Sequence, residues 1–147
     1  MAQSFMESAL MEAKKAADRG EVPVGAVIVR QGKIIASSGN ATLLGHDPTA
    51  HAEIAVIREA CRQLESQRLP DCDLYVTLEP CTMCAAAISN ARIRRLYFGA
   101  EDIKGGAVLN GVRFFEAETC HHAPGVYSGI CEQECSALLK GFFAKLR

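Results

Sequence analysis

His51 and Glu53, in Asp47-Pro48-Thr49-Ala50-His51-Ala52-Glu53, and Cys81 and Cys84, in Pro80-Cys81-Thr82-Met83-Cys84, are the residues here whose types and spacing suit chemistry. One imidazole and two thiols make three candidate metal ligands, with one carboxylate to spare. Two thiolates and a neutral imidazole balance the charge of Zn²⁺ and leave one tetrahedral position for water, whose pKa protein-bound zinc lowers to about 7. A carboxylate beside that water can take its proton and hand it on. Thiolate and imidazole suit zinc better than magnesium or calcium. The composition of such a site is that of a catalytic centre, whereas structural zinc sites carry four protein ligands. Cys72, Cys61 or His46 would have to complete a structural shell. Thioredoxin-type chemistry would leave His51 and Glu53 unexplained, and a lone His51 would read as a core histidine.

The elements that must position these groups are legible in outline. A stripe of Ala9, Leu10, Ala13, Ala16 and Ala17, preceded by a Ser4–Glu7 capping-box spacing, predicts a helix over 4–19 that Gly20 ends. Two β-branched runs, 24–29 and 33–38, separated at Gly32, read as an antiparallel hairpin. Residues 40–48 read as loop. Helical periodicity over 50–66 turns Ile54, Ala55, Ile57 and Leu64 toward a core, and the apolar run 74–78 reads as a central strand. Pro80 opens a helix to about 91, and 95–99 is a further strand. The Gly-rich segment 100–129 offers one strand near 112–115, and a last helix covers 132–146. His51 and the cysteine pair each fall at a helix mouth, where an α/β sheet gathers its ligands. The expected fold is a three-layer α/β/α domain over 1–147, with a mixed sheet of about five strands and helices on both faces.

Composition bounds the function. The 147 residues suit a single domain, with 49% hydrophobic and 22% charged residues and no run long enough to span a bilayer. Acidic residues Glu7, Glu12 and Asp18 near the start speak against a signal or transit peptide, so a soluble, cytoplasmic protein is expected. Seven cysteines cannot all pair, which favours metal or redox chemistry for the C-x-x-C. A net charge of -1 offers no general attraction to nucleic acid, so any basic patch must be local. Arg92, Arg94, Arg95, Lys140, Lys145 and Arg147 are the candidates for one.

His-x-Glu followed by Pro-Cys-x-x-Cys resembles the signature of the zinc-dependent cytidine and nucleobase deaminases. Val22-Pro23-Val24-Gly25-Ala26-Val27, the segments 46–53 and 74–81, Tyr97-Phe98-Gly99-Ala100 and the ending Glu134 through Phe143 resemble more closely the bacterial tRNA-specific adenosine deaminases, over nearly the whole chain. The resemblance implies a cytidine-deaminase-like fold and hydrolysis of the wobble adenosine of an arginine tRNA anticodon to inosine. It implies one Zn²⁺ per subunit on His51, Cys81 and Cys84, with Glu53 as proton shuttle. It also implies substrate contacts at Asn40, Ala52, Asp102, Lys104 and Phe143, a tRNA anticodon stem-loop as partner, and a homodimer. Ala85-Ala86-Ala87-Ile88 is small and apolar enough for close packing against a second copy, or equally against the sheet. In the 102–107 loop Gly105 stands where the family pattern has Thr, and no tryptophan precedes Asn40. The runner-up is a deaminase of guanine, cytosine or deoxycytidylate. A zinc-stabilised RNA-binding subunit without catalysis would have no use for Glu53.

Overall fold

Residues 72–78 carry neither Gly nor Pro, and all but Leu78 are buried, as suits the middle strand of a sheet covered on both faces. The computed structural model describes residues 1–146; Arg147 lies outside the described residues. Around that strand run α1 (Ala2–Asp18), β1 (Gly25–Arg30), β2 (Lys33–Gly39), α2 (Ala52–Leu64), β3 (Cys72–Leu78), α3 (Thr82–Asn90), β4 (Arg95–Ala100), β5 (Gly125–Tyr127) and α4 (Glu132–Lys145). The sheet order is β2-β1-β3-β4-β5, antiparallel from β2 to β3 and parallel from β3 to β5. The mixed five-stranded sheet anticipated from the sequence is what the chain forms.

Strand alternation sends Ala26, Ile28, Leu74, Val76, Leu96 and Phe98 to the face covered by α2 and α3, where they meet Val56, Ala60 and Ile88. Val27, Val29 and Tyr75 face α1 and α4, against Met6, Ala9, Leu10 and Cys135. On that second face Tyr75, Tyr97 and Tyr127 stand in register on three neighbouring strands. Their rings stack with centroids 4.3 Å and 4.9 Å apart. Gly25 lies where α1 crosses β1, and a Cβ there would overlap the backbone of Ala9 and Ala13. Among the described residues no helix is long and apolar enough to cross a membrane.

Four expectations need correction. The capping box at Ser4 does not form: the helix starts at Ala2 with Met1 as its cap, which puts Ser4 inside the helix, where its backbone is already helical. Helix α2 buries Ala52, Glu53, Val56 and Ala60, leaving Ile54 and Ala55 only half-buried, because the face turned inward is the one that carries Glu53. The strand expected near 112–115 is instead a turn and a 3₁₀ segment, Phe114–Glu116. Gly111 and Arg113 there take positive φ angles of 58° and 47°, which break extension, and the Phe114 N–H is bound by Ala107 O. The fifth strand is Gly125–Tyr127, too short and too exposed to show an alternating pattern, and held by its register with β4.

Candidate active site

His51 and Cys81 occupy the same local position, the N-cap of a helix entered from extended backbone: φ -72° and ψ 154° for His51, φ -75° and ψ 176° for Cys81. Helices α2 and α3 are neighbours on one face of the sheet, so their mouths meet. Cys84, one turn into α3, is buried beside them. His51 Nδ1 lies 3.6 Å from Cys81 Sγ and 3.4 Å from Cys84 Sγ, and the three atoms are all within 4.8 Å of one another. Around a tetrahedral zinc with Zn–S of about 2.3 Å and Zn–N of about 2.0 Å, neighbouring S and N ligands stand about 3.5 Å apart. The donor set fits that ion. A single ring N–H could serve only one of the two sulfurs, whereas a cation would satisfy all three. Among the described residues no other His/Cys/Asp/Glu group is so arranged. Cys72 begins the strand that ends just before Cys81, and Cys61 and His46 are not part of the cluster, so the four-ligand structural reading finds no fourth ligand.

The electrostatics follow from crowding. The Cys84 thiol and His51 stabilise a thiolate on Cys81, which is drawn down to about 4 against the cost of its burial. Cys84 is pushed well above the thiol range, first by Cys81 and then by burial. His51 is raised by its contact with Cys81. Both helix N-termini add partial positive charge, which favours thiolate. Glu53 is only 4% exposed, and burial raises its pKa to about 7. A buried carboxyl with a pKa near neutrality, beside His51 and Cys84, is equipped both to accept a proton and to give one up.

The other expected site residues fall in two places. Asn40 follows β2 and its side-chain Oδ1 accepts the N–H of Ala52 at 2.9 Å, holding the first turn of α2. The Ala52 N–H is thereby engaged, while the Asn40 NH₂ takes no part in that bond. Asp102, Lys104 and Phe143 line a cavity of about 940 Å³ between the 101–104 loop and α4, whose wall also includes Val22, Leu78 and Lys140. Asp102 uses Oδ1 to receive the N–H of Lys104 and of Gly105, at 3.2 Å and 2.9 Å, and so fixes the turn that exposes Lys104. Phe142 is half-buried and packs edge-on against Phe143, which is 44% exposed. Of the candidate basic residues, Arg94 and Arg95 are paired with Asp73 at 3.0 Å and 3.5 Å.

Two buried carboxylates went unread in the sequence. Glu21 accepts the Thr42 hydroxyl and the N–H groups of Leu43 and Leu44, closing the loop before His51. Glu79 does the same for the loop after β4, through Asp102, Val108, Leu109 and Asn110. Burial opposes the charge of each, but the donors around it hold its pKa below the usual carboxylate value. The signal was available for Glu79: an acid directly before Pro80-Cys81, at the end of a buried strand.

Comparison with known proteins agrees with this geometry. The family model of the MafB19-like deaminases matches residues 2–147. A tRNA-specific adenosine deaminase of Agrobacterium fabrum is 65% identical over 143 residues, covering 97% of this chain and 94% of that one. A solved structure from work on A-to-I editing by tRNA:A34 deaminases at the wobble position superposes with a TM-score of 0.92 at 66% identity, covering 92% of this chain and 99% of that one. A guanine deaminase from Bacillus subtilis is more distant, with a TM-score of 0.64 and 35% identity over 78% of this chain and 83% of that one.

Proposed function

The chain belongs to the deaminase family, among the tRNA-specific adenosine deaminases, and we propose on that footing that it converts the wobble adenosine of a tRNA anticodon to inosine. The observation that carries the reading is Glu53: a carboxyl raised to about 7 and buried against a His/Cys/Cys set that fits zinc. His51 Nδ1, Cys81 Sγ and Cys84 Sγ would hold one Zn²⁺ per subunit. When bound, zinc supplies Lewis acidity and lowers the pKa of water at the site. Glu53 takes the proton of the attacking water, passes it to the ring nitrogen beside C6 of adenine, and later delivers a proton to the departing ammonia. Asn40, fixed through Ala52, presents its NH₂ to the base. Asp102, Lys104 and Phe143 receive the nucleotides flanking it, with Lys140 supplying positive charge to the backbone.

The remaining parts of the reading rest on the same frame. The whole chain, 1–147, is one zinc-dependent deaminase domain, supported by the continuous sheet with helices packed on both faces. Its substrate puts it in the cytoplasm. It works as a homodimer: α3 has no charged residue, and Met83, Ala86 and Ala87 on its outer side are only half-buried within the subunit.

The test is inosine formation by zinc-loaded protein on an arginine anticodon stem-loop with adenosine at the wobble position, beside guanine, cytidine and dCMP. Turnover of the RNA alone, lost in Glu53→Ala while zinc is retained, is the expected result. Turnover of a free base or nucleotide with the RNA untouched would move the substrate to the small-molecule deaminases. Loss of zinc in Glu53→Ala would make Glu53 a ligand and end the shuttle mechanism.

A further inference from the structure

We infer that Glu79 is a positioning residue for the substrate: a buried carboxylate that shapes the 101–110 loop and ties it to the segment carrying Cys81. This rests on the reading that the loop receives substrate. Glu79 is 2% exposed, and among the described residues no cation pairs with it. Its Oε1 accepts the N–H of Asp102 at 3.0 Å and the Asn110 side-chain amide at 2.7 Å. Its Oε2 accepts the N–H groups of Val108, Leu109 and Asn110 at 3.0, 2.8 and 3.1 Å. Four of the five donors are backbone, and they come from both ends of the loop. The loop therefore closes around the carboxylate as around a bound anion.

The surroundings leave the loop little freedom to close otherwise. Gly106 passes so near that a Cβ on it would stand 2.5 Å from Glu79 Cδ and 2.5 Å from Asp102 O. Glu79 N–H binds Ala100 O at 2.8 Å, where β4 ends and the loop begins, and Ala107 N–H binds Pro80 O at 2.9 Å, so the loop is also stitched to the backbone of Glu79 and Pro80. Pro80 in turn precedes Cys81. A displacement of this carboxylate would move Asp102, Ile103 and Lys104, which line the 940 Å³ cavity, while α2 with His51 and Glu53 stays in place. The expected defect is thus in holding substrate more than in the chemical step.

Glu79→Gln tests this, because one oxygen becomes an NH₂ that must face N–H donors whichever way the amide turns. The measurements are zinc content, steady-state kinetics on the anticodon stem-loop, and hydrogen exchange mapped along the chain. The expected outcome is one zinc per chain, a KM raised about tenfold or more, kcat within about threefold of the wild type, and faster exchange confined to 101–110. Asn110→Ala, which removes one side-chain donor and leaves the carboxylate, is expected to shift KM and exchange in the same direction but less, and it carries the test if Glu79→Gln does not fold. A wild-type KM, a loss in kcat alone, or exchange quickened evenly through the molecule would overturn the inference. If wild-type protein turns over a free base and not the RNA, the substrate reading fails separately; the confined change in exchange then still decides whether Glu79 orders this loop, and the same KM and kcat split is read on that base.

Discussion

Replacing Asn40 separates two jobs that one side chain performs. Its Oδ1 accepts the Ala52 N–H, a donor that α2 cannot satisfy internally, so the bond acts as a helix cap supplied from another segment. Losing such a cap to Ala costs about 1 kcal/mol, with a range of about 0.5–2. For 147 residues the unfolding entropy at about 2.1 cal/mol/K per residue comes to about 310 cal/mol/K, so about 1 kcal/mol lowers Tm by about 3 °C. Asn40→Asp keeps the acceptor and adds negative charge at a helix N-terminus, worth about 0.3–1 kcal/mol, so its Tm is expected at or slightly above that of the wild type. Both variants lose the NH₂ proposed to face the base, and both should lose roughly tenfold in kcat/KM, the scale of one hydrogen bond to substrate. Calorimetry at fixed protein concentration and zinc loading, with kinetics on the stem-loop, reads both. An Asn40→Ala Tm within about 1 °C of the wild type would refute the cap. A low Tm in both variants would show that the oxygen is not what matters, and full activity in Asn40→Asp would remove the NH₂ from substrate binding.

Cys84→Ala is expected to reduce zinc from about one ion per chain to near zero by elemental analysis, since two ligands hold zinc poorly; full occupancy would point to another ligand set. Gly25→Ala should destabilise by more than about 3 kcal/mol in denaturant titration or fail to accumulate folded, because the added carbon overlaps α1 backbone that cannot rotate away. Glu21 has a folded pKa below its ordinary value, so its contribution is complete above that value and is lost as pH falls through the folded one. Tm of the wild type should therefore drop as pH falls below the ordinary carboxylate range, and Glu21→Gln should start lower and drop less steeply; equal slopes would mean that Glu21 is not a source of the acid sensitivity. Ala86→Glu, on the charge-free outer side of α3, should turn the proposed dimer into a monomer in sedimentation, and a dimer that persists would place the interface elsewhere.

The sequence was most readable where chemistry and periodicity coincide. His51, Cys81 and Cys84 could be paired from spacing because helix mouths in an α/β sheet converge, β1 and β2 followed from β-branched runs around Gly32, and β3 and β4 from short runs rich in apolar and aromatic residues. It was least readable where backbone answers to one distant side chain. Residues 101–110 have no period of their own; their path follows Glu79, which is distant from them in sequence and four of whose five donors are backbone N–H groups that almost any residue type could supply. The strand expected near Val112 failed because Gly111 and Arg113 turn the backbone out of extension, and β5 was missed because three residues, two of them exposed, leave no pattern. The face of α2 was misjudged by counting Ile54 as core, when burying Glu53 fixes the rotation of the helix.

The tyrosine ladder has a practical consequence. The chain has three tyrosines and no tryptophan, so all of its tyrosine emission arises from one stack on the sheet face beneath α1 and α4. Rings this close exchange excitation, and Tyr127, 47% exposed at the sheet edge, gives a dissolved quencher access to energy absorbed by the buried Tyr75. The signal is therefore a gauge of whether β3, β4 and β5 remain aligned. It sits on the other side of the sheet from the mouths of α2 and α3, so metal loading and base binding can be titrated in the same cuvette with the integrity of the scaffold as a built-in reference.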